Sequence, residues 1–132
     1  MLEGINHLTL AVSNIEQSIK FYNQVLGFRK EAKWDNGAYL TLGSLWLCLS
    51  LDRVSKNENY THYAFTINET QILAFKSRLK TFKVKEWKNN TSEGSSIYFL
   101  DPDGHKLEVH TGNLSSRLAA CRINPYKGMI FF

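Results

Sequence analysis

The sequence predicts an α+β fold built from one βαβββ unit used twice. Each half of the 132-residue chain runs from a strand through an amphipathic helix to three short strands. Turn residues punctuate both halves at matching places. One histidine also stands at the same place in the first strand of each half, His7 and His62. The length fits a single compact domain, residues 1–132, or two small half-domains sharing a core, and excludes a multidomain enzyme. Repeat one covers about residues 4–51, repeat two about 59–111, and a C-terminal segment 112–132.

The elements follow in order. Ile5–Val12 alternates like a strand. Ser13 or Asn14 caps a helix from Ile15 to about Leu26, with Ile15, Ile19, Phe21 or Tyr22, and Leu26 on its apolar face and Gly27 at its C-terminal end. Strands Phe28–Trp34, Ala38–Leu42 and Leu45–Ser50 are separated by Asp35-Asn36-Gly37 and Gly43-Ser44. The second half opens with strand Tyr60–Ile67 and a helix from Glu69 to about Phe82, with Ile72, Phe75 and Leu79 on its apolar face. Strands Val84–Trp87, Ser96–Leu100 and Lys106–His110 complete it, the last two joined by the turn Asp101-Pro102-Asp103-Gly104. Leu114–Arg122 forms a short extra helix.

Composition narrows the function classes. Hydrophobic residues make up 43% and charged residues 21%, as in an ordinary globular protein. No apolar run approaches the ~18 residues of a membrane span, and no signal peptide is visible, so a cytoplasmic location is expected. Cys48 and Cys121 are too few for a disulfide scaffold and read as free thiols. The net charge of +4 fits a solvated basic surface or, more sharply, an anion-binding protein with nucleic acid or a small phosphorus acid as partner. The basic residues form no stripe, which argues against nucleic acid.

Two curved sheets of this kind are expected to enclose a cavity lined by the less greasy face of each strand. His7, Thr9 and Ala11 lie on that face in the first strand, His62, Ala64 and Thr66 in the fifth, and Lys106, Glu108 and His110 in the last. Two imidazoles and a carboxylate on facing strands make a divalent-metal site with open positions, suited to Mn(II), Fe(II), Ni(II) or Zn(II). A histidine taken alone is more often structural, and the matched positions reverse that balance. His110 is a rival ligand, and His105, after the turn, is expected to be exposed. The polar loop Lys88–Ser96 offers hydroxyl and carbonyl oxygens with one carboxylate, chemistry for a monovalent cation or an anion, though an ordinary surface loop has the same look. Arg117 and Lys88 could meet an anionic substrate or simply be solvated charges. Tyr39, Trp46, Cys48 and Ser50 share one strand face and could line a channel for a second substrate, or serve as core or dimer contacts. Cys48 is no nucleophile on this pattern, having no nearby histidine in sequence and no helix N-terminus.

The repeat resembles the paired βαβββ modules of the vicinal oxygen chelate superfamily. Within it the chain resembles the FosA-type fosfomycin-modifying glutathione transferases almost end to end. INHLTLAV, FYNQVLGFR, WDNGAYLTLGSLWLCLS, YTHYAF, the long segment from Glu86 to Arg122 and PYKGM carry the likeness. WDNGAYLTLGSLWLCLS and SEGSSIYFLDPDGHKLE are much more specific than the superfamily pattern. The resemblance implies Mn(II) held by His7, His62 and Glu108, and K+ near Asn90, Ser92, Gly94 and Ser96. It implies phosphonate contacts from Lys88, Ser92, Tyr98 and Arg117, Thr9 beside the oxirane oxygen, and Tyr39, Trp46 and Ser50 in the thiol channel. It also implies a module-swapped homodimer, with His7 from one protomer and His62 and Glu108 from its partner. The linker Asp52–Asn59 is a little shorter than in some relatives, and Asn36 and Asn89–Thr91 vary.

The expected reaction is metal-dependent addition of glutathione to the oxirane of fosfomycin. Use of cysteine or bacillithiol, an epoxide hydrolase, and a non-catalytic antibiotic-binding protein are the alternatives. The hydrolase needs a base facing the oxirane, and the third strand carries no carboxylate. A dioxygenase or glyoxalase fits the superfamily alone, and the resemblance carried by Tyr98, Arg117 and the loop disfavours both.

Overall fold

The structure, a computed structural model that describes residues 1–132, is α+β, with two four-stranded sheets and three α-helices. It divides into two compact units, Met1–Thr61 with Leu100–His105, and His62–Phe99 with Lys106–Phe132. No helix is long and apolar enough to cross a membrane.

The first unit runs β1 (His7–Val12), α1 (Ile15–Lys20), a π-helical turn (Phe21–Val25), β2 (Arg29–Trp34), β3 (Gly37–Leu42) and β4 (Leu45–Leu51). Its sheet has the order β1-β4-β3-β2, parallel between β1 and β4 and antiparallel elsewhere. The period of two puts Leu10, Val12, Leu40, Leu47 and Leu49 on one buried face. Ile15, Ile19 and Phe28 are buried with them. Each such side chain contributes roughly 1.5–3 kcal/mol by leaving water. The Asn14 side chain accepts from the Gln17 N–H and so starts α1.

The expected single helix Ile15–Leu26 is instead an α-helix that widens into a π-turn. Neighbouring residues on a regular helix point about 100° apart, so only one of Phe21 and Tyr22 would face the core well. The wide turn buries both, Phe21 at 7% exposure and Tyr22 at 0%. Gly27, at φ +82°, ends it.

Tyr22 Oη donates to Asp101 Oδ2 at 2.8 Å, and the Asp103 and His105 N–H groups donate to Oδ1 at 2.9 and 2.8 Å. Asp103 accepts from the Ser13 N–H and hydroxyl. His105 is half-buried rather than exposed, because its Nε2 donates to the Ala11 carbonyl at 2.7 Å. Burial pushes the Asp101 carboxyl above its ordinary 3.8, against the pull of His105 and the Tyr22 hydroxyl. The folded chain then holds a proton that the unfolded chain has released, so this group's contribution to stability falls as pH rises from that ordinary value through the raised one. Asp101→Asn should flatten that slope in urea unfolding measured between about pH 4 and 7. An unchanged slope would show that Asp101 does not cause it.

The second unit runs β5 (Tyr63–Thr66), a 3-10 turn (Glu69–Gln71), α2 (Ile72–Thr81), β6 (Glu86–Lys88), β7 (Ser96–Leu100), β8 (Lys106–His110) and α3 (Leu114–Ile123). Its sheet has the order β5-β8-β7-β6, with β5 parallel to β8. Leu79, Ile97, Phe99, Leu107, Val109 and Cys121 form the core. Both cysteines are free. Asn113 and Ser116 close a reciprocal cap on α3.

Most element boundaries shift by a residue or two from expectation, β1 for example starting at His7 rather than Ile5, and three of the shifts trace to local hydrogen bonding. β5 starts at Tyr63, not Tyr60, because Asn59 and Asn57 side chains bind the Thr61 N–H and carbonyl. Asn68 accepts from the Thr70 N–H and opens the second helix as a 3-10 turn. β6 starts at Glu86, not Val84, because the Val84 N–H is spent on the Leu79 carbonyl past the end of α2.

Candidate functional site

In the second unit the chemistry gathers around Glu108. β8 buries Leu107 and Val109 on one face, and on the other Glu108 is itself only 6% exposed. A carboxylate that far from water needs partners. Its Oε2 lies 3.0 Å from His62 Nε2, and its Oε1 accepts from Ser96 Oγ at 2.7 Å. The His62 ring packs edge-on against Trp87 and Tyr98, and Trp87 Nε1 donates to the Leu107 carbonyl. Lys88 Nζ sits 4.9 Å from the centre of the Tyr98 ring.

The loop before β7 is folded by Asn90. Its Nδ2 donates to the Gly94 carbonyl at 2.7 Å, and its Oδ1 accepts from the Ser92 N–H and hydroxyl. Gly94 takes φ +73°, a backbone state that favours glycine. Arg117 Nε donates to Glu93 Oε2 at 2.9 Å, and its Nη2 reaches Ser92 Oγ at 3.3 Å. The Ser116 hydroxyl and the Arg117 guanidinium hold the Glu93 carboxyl below the usual carboxylate range. The residues expected for anion and cation binding, Lys88, Asn90, Ser92, Gly94, Ser96, Tyr98 and Arg117, thus fall in one unit with His62 and Glu108.

The first unit holds the others on the uncored face of its sheet. β1 pairs with β4 so that His7 lies beside Trp46, Thr9 beside Cys48 and Ala11 beside Ser50. β3 adds Tyr39 beside Cys48. The rings form a row: His7 is 4.5 Å from Trp46, Trp46 is 5.2 Å from Tyr39, and Tyr39 is 4.7 Å from Trp34. His7 Nδ1 is 2.8 Å from Asn6 Oδ1, which must accept, so Nδ1 carries a hydrogen, and in the neutral ring this leaves the lone pair on Nε2. The buried Trp46 indole N–H has no partner in the chain.

The donor set suits a divalent ion. A buried carboxylate beside an imidazole nitrogen, with its second oxygen held by a hydroxyl, is the chemistry of a supported metal ligand. No group of three or more His, Cys, Asp and Glu side chains is placed to hold a metal within one chain. His62 and Glu108, two of the three expected ligands, lie side by side in the second unit, and His7 belongs to the first.

Sequence reasoning missed Trp87 and the pairing of Glu93 with Arg117. Glu93 had a signal, as the one carboxylate in the polar loop. Trp87 had none, because its place beside His62 depends on the β6–β7 register.

Residues 4–109 match the family model of the Glyoxalase/Bleomycin resistance protein/Dioxygenase superfamily. The chain is 52% identical to glutathione transferase FosA of Serratia marcescens, over 99% of this chain and 96% of that one. It is 43% identical to metallothiol transferase FosB of Shouchella clausii, over 90% of this chain and 87% of that one. Among solved structures it is similar to the fosfomycin resistance protein FosX of Listeria monocytogenes in complex with Mn(II) and sulfate. That likeness has a TM-score of 0.82 at 28% identity and covers 91% of this chain and 98% of that one. A point mutant of the same protein, bound to Mn(II) and 1S,2S-dihydroxypropylphosphonic acid, gives a TM-score of 0.85 at 27% identity, with the same coverage of both chains.

Proposed function

The chain belongs to the glyoxalase/bleomycin resistance/dioxygenase superfamily and, within it, to the FosA-type fosfomycin resistance transferases, and from that membership we propose that it adds glutathione to fosfomycin. The thiolate sulfur attacks an oxirane carbon. The C–S bond forms as the C–O bond breaks, and the released oxygen takes up a proton. The observation that carries the reading is the buried Glu108, clasped between His62 and Ser96.

His7, His62 and Glu108 are the proposed ligands of a divalent metal, Mn(II), in a cytoplasmic homodimer with His7 drawn from one protomer and His62 and Glu108 from its partner. When bound, the ion would supply Lewis-acid stabilisation of the oxirane oxygen as one of its C–O bonds breaks. Thr9 donates a hydrogen bond to that same oxygen, worth about 1–3 kcal/mol when its partner is charged. Lys88, Ser92, Tyr98 and Arg117 hold the phosphonate, with the guanidinium fork giving orientation as well as charge. Arg117 is steered for this by Glu93 on its Nε, while Nη2 points at Ser92. Asn90, Ser92, Gly94 and Ser96 would gather K+, which with Lys88 and Arg117 offsets repulsion between phosphonate and thiolate. Tyr39, Trp46 and Ser50 line the thiol approach.

Transfer is favoured over hydrolysis because β3, Gly37–Leu42, carries no carboxylate to activate water, and Glu31 on the neighbouring β2 is tied to the Thr41 hydroxyl and Arg29.

Mass spectrometry of fosfomycin incubated with the protein, Mn(II), K+ and glutathione tests the reading. A glutathione adduct that vanishes with chelator is expected. A water adduct would make the protein a hydrolase, and tight binding without product would make it a sequestering protein. Cysteine and bacillithiol at equal concentration should give slower addition, and a faster one would reassign the thiol.

A further inference from the structure

We infer that His110 is a positioning residue for Glu108 and acts on it through Ser96. The inference rests on the metal-dependent reading above and gives His110 a different role from that of a metal ligand.

The argument is a count of hydrogens. Ser96 Oγ lies 2.7 Å from Glu108 Oε1 and 2.7 Å from His110 Nδ1. A carboxylate only accepts, and a hydroxyl has one hydrogen. That hydrogen goes to Glu108, so the Ser96 oxygen accepts from His110 Nδ1–H. The result is a one-way chain of donors from His110 to Ser96 to Glu108. His110 Nδ1 is 3.8 Å from Glu108 Oε1, too far for a direct bond, so its influence runs through the hydroxyl.

The ring is held where this requires it. A Cβ on Gly112 would lie 2.5 Å from His110 Nε2, and one on Gly94 would lie 3.0 Å from its Cε1. Two glycines therefore leave room for the imidazole and for little movement of it. Nε2 faces Glu93 at 3.8 Å, the carboxylate that also binds Arg117. The start of β7, which carries Ser96, is tied to the strand end after His110, since Ser95 and Thr111 exchange N–H and carbonyl or hydroxyl bonds. With Oε1 occupied by Ser96, the Glu108 oxygen that faces His62 is the one left for a metal.

Mn(II) affinity, read from the paramagnetic resonance of free Mn(II) in potassium-free buffer, tests this. His110→Ala should weaken binding roughly 10–100-fold, the cost of losing a partner that orients a ligand. His110→Asn places an amide N–H where Nδ1–H stood and should recover most of the loss. His110→Gln places its amide at the Nε2 end and should not. Ser96→Ala should match His110→Ala, and the double variant should be no worse than either, because the two act in series. Wild-type affinity in His110→Ala, equal losses in the Asn and Gln variants, or additive losses would each overturn the inference. If His110→Ala does not fold, the Asn and Gln pair decides alone. A wild-type chain that binds no Mn(II) would instead overturn the metal reading on which the inference stands.

Discussion

Glu108→Ala is expected to lose divalent metal and transferase activity together. The substitution removes the only acidic member of the proposed ligand set and leaves His62 and the Ser96 hydroxyl without the group they both address. Losing a supporting partner of a ligand costs ~10–100-fold in affinity, so losing a charged ligand should exceed that. Mn(II) affinity by calorimetric titration and product formation at matched Mn(II) should fall in parallel. Full turnover with no bound metal would end the proposed mechanism. Because Glu108 is buried, a circular dichroism spectrum belongs beside these measurements, to show that the β5-β8 pairing survives.

Thr9→Val separates chemistry from metal binding. Threonine and valine have nearly the same shape, and Thr9 is exposed on β1 on the face opposite its core residues, so the strand should not notice the change. Only the hydroxyl donor is lost. A donor aimed at a developing negative oxygen is typically worth ~10²-fold or more in rate, or ~2.7 kcal/mol for a factor of 10². Single-turnover ring opening should slow by about that factor while Mn(II) affinity stays as in the wild type. An unchanged rate would remove Thr9 from the chemistry, and a lost metal would make it part of the ligand shell.

The repeat and the core were legible because hydrophobic period maps directly onto burial. Leu10 and Val12 against Thr9 and Ala11 show their sides without any partner strand being known. Glu108 was legible as facing away from Leu107 and Val109, but not as buried, since its cover comes from His62 and Ser96. The strand ends at Tyr63 and Glu86 were hidden for another reason. Asparagine side chains and a helix C-terminus take up backbone groups there, and apolar periodicity carries no record of that. His105 was misread because its acceptor, the Ala11 carbonyl, is far away in sequence. His110 could be placed on the right face, yet whether it binds a metal or a hydroxyl depends on the position of Ser96.

The π-turn at Phe21–Val25 has a consequence for how this segment can vary among homologues. Removing one residue there would restore ordinary helical bonding, and Phe21 or Tyr22 would then turn away from the core. If Tyr22 turned, the buried carboxyl of Asp101 would lose its hydroxyl donor. An unmet buried group of this kind costs about 1–3 kcal/mol. A gap in this segment should therefore be inherited together with a replacement at the aspartate, so that two sites 79 positions apart drift as one.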